Sequence, residues 1–153
     1  MGKTAKKETE RKTVRTGDAV AAYNTLKGLR IMKLDKGDMF AVLRAANTLK
    51  PVAESFDGFL RDARERLKPE GWDGVSERIA RFDTLPDEEK RELNRIAQAY
   101  QNDVDECVRT EMDKEADITG IARISEDALA TIASDNDSLD VQSLMLLQSV
   151  CGE

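Results

Sequence analysis

The chain has no histidine among its 153 residues, and only two cysteines, one tryptophan and three prolines. Without imidazole it lacks the commonest general base and metal ligand at neutral pH, so a zinc site would need carboxylates and two distant thiols, and zinc chemistry is set aside. Cys107, within a predicted helix, and Cys151, near the C-terminal end, have neither metal-site spacing nor the density of a disulfide framework; both read as reduced thiols. Aromatics make up 5% and charged residues 35%, which disfavours a sheet sandwich and favours solvated helices. No run approaches the roughly 18 apolar residues of a membrane span, and no apolar stretch follows the basic start. Met1-Gly2 lacks the Ser or Thr at position 6 of an acylation signal, since Lys6 stands there. These absences predict a soluble, intracellular protein.

What the chain does have is charge, unevenly placed. Residues 1–15 carry Lys3, Lys6, Lys7, Arg11, Lys12 and Arg15 against Glu8 and Glu10, a net of +4, which leaves −10 on the other 138 residues. With no apolar residue between Ala5 and Val14, this basic tail cannot offset its ordering entropy and is expected to be disordered in isolation. It is a solubilising terminus or an arm for nucleic acid or an acidic surface. Residues 16–153 suit one domain.

The strongest pattern runs from Met39 to Leu67. Met39, Val42, Ala46, Leu49, Ala53, Phe56, Leu60, Ala63 and Leu67 fall at spacings of three and four, the heptad rhythm of a helix pressed along its length against another. Asp35 and Asp38 cap its start near Gly37, and Pro51 predicts a bend near Asn47. The partner is the charged, periodic segment 86–116, opened by Thr84-Leu85-Pro86-Asp87-Glu88: an N-cap, a first-turn proline and acids that complement the helix dipole. Its looser stripe is Leu93, Ile96, Ala97, Tyr100, Val104, Cys107, Val108 and Met112. Between the rods, Lys68-Pro69-Glu70-Gly71-Trp72-Asp73-Gly74 ends the first helix, with a turn of helix around residues 76–82. Trp72 covers the open end of the hairpin or binds a partner.

Around this hairpin the elements are short. Thr16 and Asp18 cap a first helix to about Leu29; residues 30–35 and 117–124 read as two strands that pair at the hairpin base. Ser125 and Ser138 cap two C-terminal helices, separated by the turn Ser134-Asp135-Asn136-Asp137. The run Leu144 to Leu147 is apolar on every side, which predicts a helix sandwiched in the core or in a subunit contact. The fold class is therefore mostly α: a long antiparallel helical hairpin, a short N-terminal helix, two C-terminal helices and a two-stranded β pair.

No residue set has the spacing of a known chemistry. Carboxylate pairs such as Asp103 with Glu106, or Asp113 with Asp117, lie in mixed-charge runs without the apolar surroundings that raise a pKa. Asp135-Asn136-Asp137 lacks the glycine and terminal glutamate of a calcium loop, and Gly71 and Gly74 lead into no phosphate-binding lysine. No catalytic, cofactor-binding or metal residue is expected, and no cofactor. The candidate partner contacts are the basic residues Lys3, Lys6, Lys7, Arg11, Lys12 and Arg15, together with Trp72, Leu144 and Leu147.

Tyr23-Asn24-Thr25-Leu26 followed by Leu34, then Leu49-Lys50-Pro51-Val52 to Arg61, Tyr100-Gln101-Asn102-Asp103-Val104 and Leu144-Met145-Leu146-Leu147 occur in a particular order. Over residues 18–150 this order resembles a family of small tailed-bacteriophage proteins of unknown function, with helix, strand, helical hairpin, second strand and leucine-rich C-terminal helix in succession. The basic tail and the Gly-Trp connection depart from it. The resemblance implies a non-enzymatic phage protein, a virion component or assembly factor in the virion or host cytoplasm, working through contacts with other virion proteins or a second copy of itself. A small phage effector that inhibits a host enzyme or defence protein, its acidic body imitating nucleic acid, is the alternative.

Overall fold

The computed structural model describes residues 10–153, and these form six α-helices and one two-stranded antiparallel sheet. The long helix and the mostly helical class are as the sequence predicts. The described residues form two compact units, one of residues up to Phe56 together with Met112–Glu153, the other of Asp57–Glu111.

In the first unit, β1 (Thr13–Arg15) pairs with β2 (Glu115–Asp117) in the register Thr13 to Asp117, Val14 to Ala116 and Arg15 to Glu115. Val14 and Ala116 turn inward against the core, and this single valine anchors the end of the basic segment. The ordering expected to begin at residue 16 therefore begins earlier. The Lys12 carbonyl accepts from Ile118 N–H at 2.9 Å, and Lys12 N–H donates to Thr119 Oγ1 at 2.9 Å. Lys3, Lys6 and Lys7 of the expected disordered arm lie outside the described residues.

The predicted strands fall elsewhere. Residues 30–35 form a turn, with Leu34 N–H bonded to Ile31 O at 3.1 Å, and Leu34 is buried. After β2 the chain turns at Gly120, whose φ of +80° suits glycine, and Ile118, Ile121 and Ile124 point inward from irregular backbone. Their three-residue spacing buries side chains outside any continuous strand, which is why β-branched composition alone misassigned the segment.

Helix α1 (Thr16–Lys27) follows β1 directly. Thr16 is no cap: its N–H and its hydroxyl both donate to Lys114 O, at 2.8 and 2.9 Å. Helix α2 (Lys36–Arg66) runs through Pro51, with Asp35 Oδ1 accepting from Asp38 N–H at 2.8 Å as the sequence predicts. Along the nine-residue seam Val42, Leu49, Ala53, Phe56 and Ala63 are buried and the other four half-buried, so every position faces protein. Its partner is not one helix throughout. Val42, Leu49 and the additional Ala45 join the core formed by Ala19, Ala22 and Leu26 of α1, Ile132 of α5 (Glu126–Asp135), and Leu147 and Val150 of α6 (Val141–Cys151). Ser125 Oγ caps α5, accepting from Ala128 N–H at 3.1 Å; α6 is capped by Asp140, accepting from Ser143 N–H at 2.7 Å, where Ser138 was expected.

The second unit holds the end of α2, α3 (Trp72–Ala80), a 3-10 turn (Phe82–Thr84) and most of α4 (Asp87–Met112). Thr84 donates its hydroxyl to Arg81 O at 2.7 Å and does not cap α4. Tyr100 Oη donates to Arg64 O, and an Arg66 guanidinium N–H donates to Cys107 Sγ at 3.6 Å, so the two long helices touch here. Leu93, Val104 and Ala63 are its fully buried side chains.

One buried polar side chain holds the first unit's loops together. Asn136, 7% exposed, accepts from Arg30 N–H at 2.7 Å and donates to Arg30 O at 3.0 Å and Ile132 O at 2.8 Å. Asn136→Ala leaves those backbone groups unpaired and is expected to lower unfolding free energy by about 2–3 kcal/mol in urea denaturation followed by circular dichroism. A loss within experimental error would show that water replaces the amide.

Candidate contact surface

Helix α6 is short, its central run Leu144–Leu147 is apolar, and its faces divide. Leu147, Val150 and Cys151 are buried in the core, Leu144 and Leu146 are half-buried, while Val141 is 72% and Met145 64% exposed. Beside the exposed pair lies a groove of about 250 Å³ between α5 and α6, lined by Glu126, Leu129 and Ala130 on one helix and Val141, Leu144, Met145 and Gln148 on the other. Val141, Leu144, Met145 and Gln148 stand at positions i, i+3, i+4 and i+7 and so share a helical face. Glu126 is the lone ionisable residue of the lining, in a chain in which 35% of residues are charged. An apolar concavity of this kind buries side chains of an incoming chain at roughly 25 cal/mol per Å².

The predicted contact residues scatter. Leu144 lines the groove; Leu147 is fully buried and therefore belongs to the core, not to a contact surface. Val141 and Met145, the large exposed apolar side chains of the surface, escaped sequence reasoning, which registered the apolar run 144–147 but did not decide which face the core would take. Trp72 is half-buried and packs on Tyr100 with ring centroids 4.5 Å apart.

The basic residues within view are mostly engaged. Lys12 Nζ donates to Val150 O at 2.7 Å, placing a cation at the C-terminal end of α6, where the helix dipole favours it. Arg15 pairs with Asp113, whose carboxylate raises the guanidinium's pKa, and Arg11 is exposed. Lys3, Lys6 and Lys7 lie outside the described residues. The end of the tail thus works in the fold, which leaves less free charge for nucleic acid than its composition suggests.

The carboxylates have structural duties. Asp117 accepts from the Thr119 hydroxyl and backbone N–H, and these bonds hold its pKa below the usual value; the Ser143 backbone N–H does the same for Asp140. Asp135 forms an ion pair with Lys33 at 3.2 Å. The turn around it borders a polar hollow of about 330 Å³ lined by Gly28, Arg30, Asp135, Asn136, Asp137 and Ser138. Among the described residues no group of three or more His, Cys, Asp or Glu could hold a metal ion, and no helix is long and apolar enough to cross a membrane.

No family model, curated protein or solved structure matches this chain.

The two thiols differ in environment. Burial pushes Cys151 up to about 11, against the opposing pull of Lys12, and its Sγ donates to Leu147 O at 3.3 Å; Cys107 is half-buried. In the folded protein a thiol-specific reagent is expected to label Cys107 alone, with Cys151 reacting only after denaturant is added. Equal labelling of both would contradict the buried C-terminal end of α6.

A depressed carboxyl pKa gives stability that is present above the unfolded-state value and lost as pH falls through the folded one. Acidification from about pH 6 to pH 2 is therefore expected to weaken the Asp140 cap below its ordinary value of 3.8. Asp140→Asn, which still caps, is expected to keep neutral-pH stability and lose less on acidification, measured as melting temperature against pH. At Asp38 the shift is opposite, raised by desolvation and by Asp35, so acidification gains stability there and Asp38→Asn is expected to steepen the acid loss.

Proposed function

We propose that this chain is a non-enzymatic binding protein that works through protein–protein contacts, and that the α5–α6 groove receives an apolar helical segment of a protein partner. The carrying observation is the adjacency of two large exposed apolar side chains, Val141 and Met145, to a concave apolar surface. Groups of this kind pay a standing hydration penalty in water and regain it when a helix covers them, the helix-in-groove mode of recognition. The resemblance to small tailed-phage proteins supports the narrower setting, a particle component or assembly factor whose partners are other virion proteins.

The groove's character sets the test. Met145→Glu places a charge at its exposed rim without touching Leu147 or Val150, so the fold is expected to survive, as checked by circular dichroism. Mass spectrometry of particles and assembly intermediates from infected cells is expected to find the wild-type chain, and to find the variant reduced at least about tenfold, the effect of losing one buried apolar anchor of 1.5–3 kcal/mol. Undiminished incorporation of the folded variant overturns the groove as the contact; absence of the wild-type chain from both fractions overturns the phage-particle setting.

A further inference from the structure

We infer that residues 72–84, comprising α3 and the 3-10 turn, form a flap that opens as a unit while α4 beneath it stays folded. The second unit places unequal restraints on its parts. Helix α3 has nine residues, none of them buried, and the 3-10 turn has none either. A helix this short is marginal in water unless packing holds it. Its first turn follows Gly71, at a φ of +76° and with no side-chain cap, and Pro69 and Pro86 bracket the segment. Its backbone bonds close on near neighbours: Trp72 N–H on Pro69 O, Val75 N–H on Gly71 O, Arg81 N–H on Arg78 O and Leu85 N–H on Phe82 O.

Three side-chain tethers bind the flap to α4, and none of them involves a fully buried residue. Trp72 packs tilted on Tyr100; Arg78 meets Glu89 at 3.6 Å with side chains 44% and 45% exposed; Lys90 sits 5.4 Å from the Phe82 ring centroid. Solvent-exposed ion pairs and cation–π contacts each hold weakly, which leaves the aromatic pair as the principal latch. By contrast α4 contributes the fully buried Leu93 and Val104. Opening therefore severs the Trp72–Tyr100, Arg78–Glu89 and Lys90–Phe82 contacts, ends the partial burial of Val75, breaks no bond of the α4 ladder, and bares the Trp72 indole and the Tyr100 ring together.

Hydrogen exchange of the full chain, read by mass spectrometry, tests this. Amides of residues 75–84 are expected to exchange at least about a hundred-fold faster than those of residues 93–104, at rates little changed by low urea, as local openings do. Trp72→Ala is expected to raise flap exchange about tenfold further and leave residues 93–104 unchanged. Flap amides protected within about tenfold of α4, or released only together with it as urea is added, overturn the inference. So does a Trp72→Ala chain in which both regions respond equally, or in which the flap does not respond.

Discussion

Alanine governs how closely the first unit can pack. Ala19 and Ala22 keep side-chain bulk low on the N-terminal part of the buried face of α1, ahead of Leu26, and both are completely buried in the cluster that includes Leu147 and Val150 of α6. A methyl in each place lets helix axes approach toward the short end of the usual 8–10 Å range, and the larger residues of α6 fill what remains. With so few aromatics available, a core of small and medium aliphatic residues succeeds only if its backbones come this near. Gly17 extends the same constraint, since a Cβ there would stand 3.3 Å from the Met112 Cβ.

The close packing also explains why the C-terminal end is so heavily restrained. Ile124 N–H donates to Cys151 O at 2.7 Å and Glu153 N–H to Ile124 O at 3.2 Å, a parallel bridge that fastens the last residues to the segment after β2. Gly152 permits it, because a Cβ would meet Gln148 O at 2.5 Å. Lys12 adds its ammonium from the other direction. Once α6 has surrendered one side to the core and its end to this bridge, the side bearing Val141 and Met145 is what remains to face outward.

Much of the fold could be read from periodicity. The α2 stripe, the Ser125 cap and the acidic start of α4 are local signals, and each acts through residues within a few positions. What could not be read was pairing. Residues 30–35 and 117–124 have strand-like composition, yet the ladder forms between Thr13–Arg15 and Glu115–Asp117, three residues each, too short for an alternating pattern to register. The contact surface failed for a related reason: within the unbroken apolar run Leu144–Leu147 no polar residue marks which side faces out, so Leu147 and Met145 look equivalent in sequence and lie opposite in space. The Asn136 clamp likewise joins residues over a hundred positions apart and leaves no local trace.

Lys12 and Val150 are separated by 138 positions, and their bond belongs to the first unit, which the chain completes only with residues 112–153; residues 57–111 form a continuous stretch between its two pieces. During synthesis the inserted stretch has all of its own contacts to hand long before α6 leaves the ribosome. The Ala19 and Ala22 face, made early, must wait for α6, the last of its partners in the core to be made. The order of assembly thus runs against the order of the chain: the middle can condense first, and the beginning closes last.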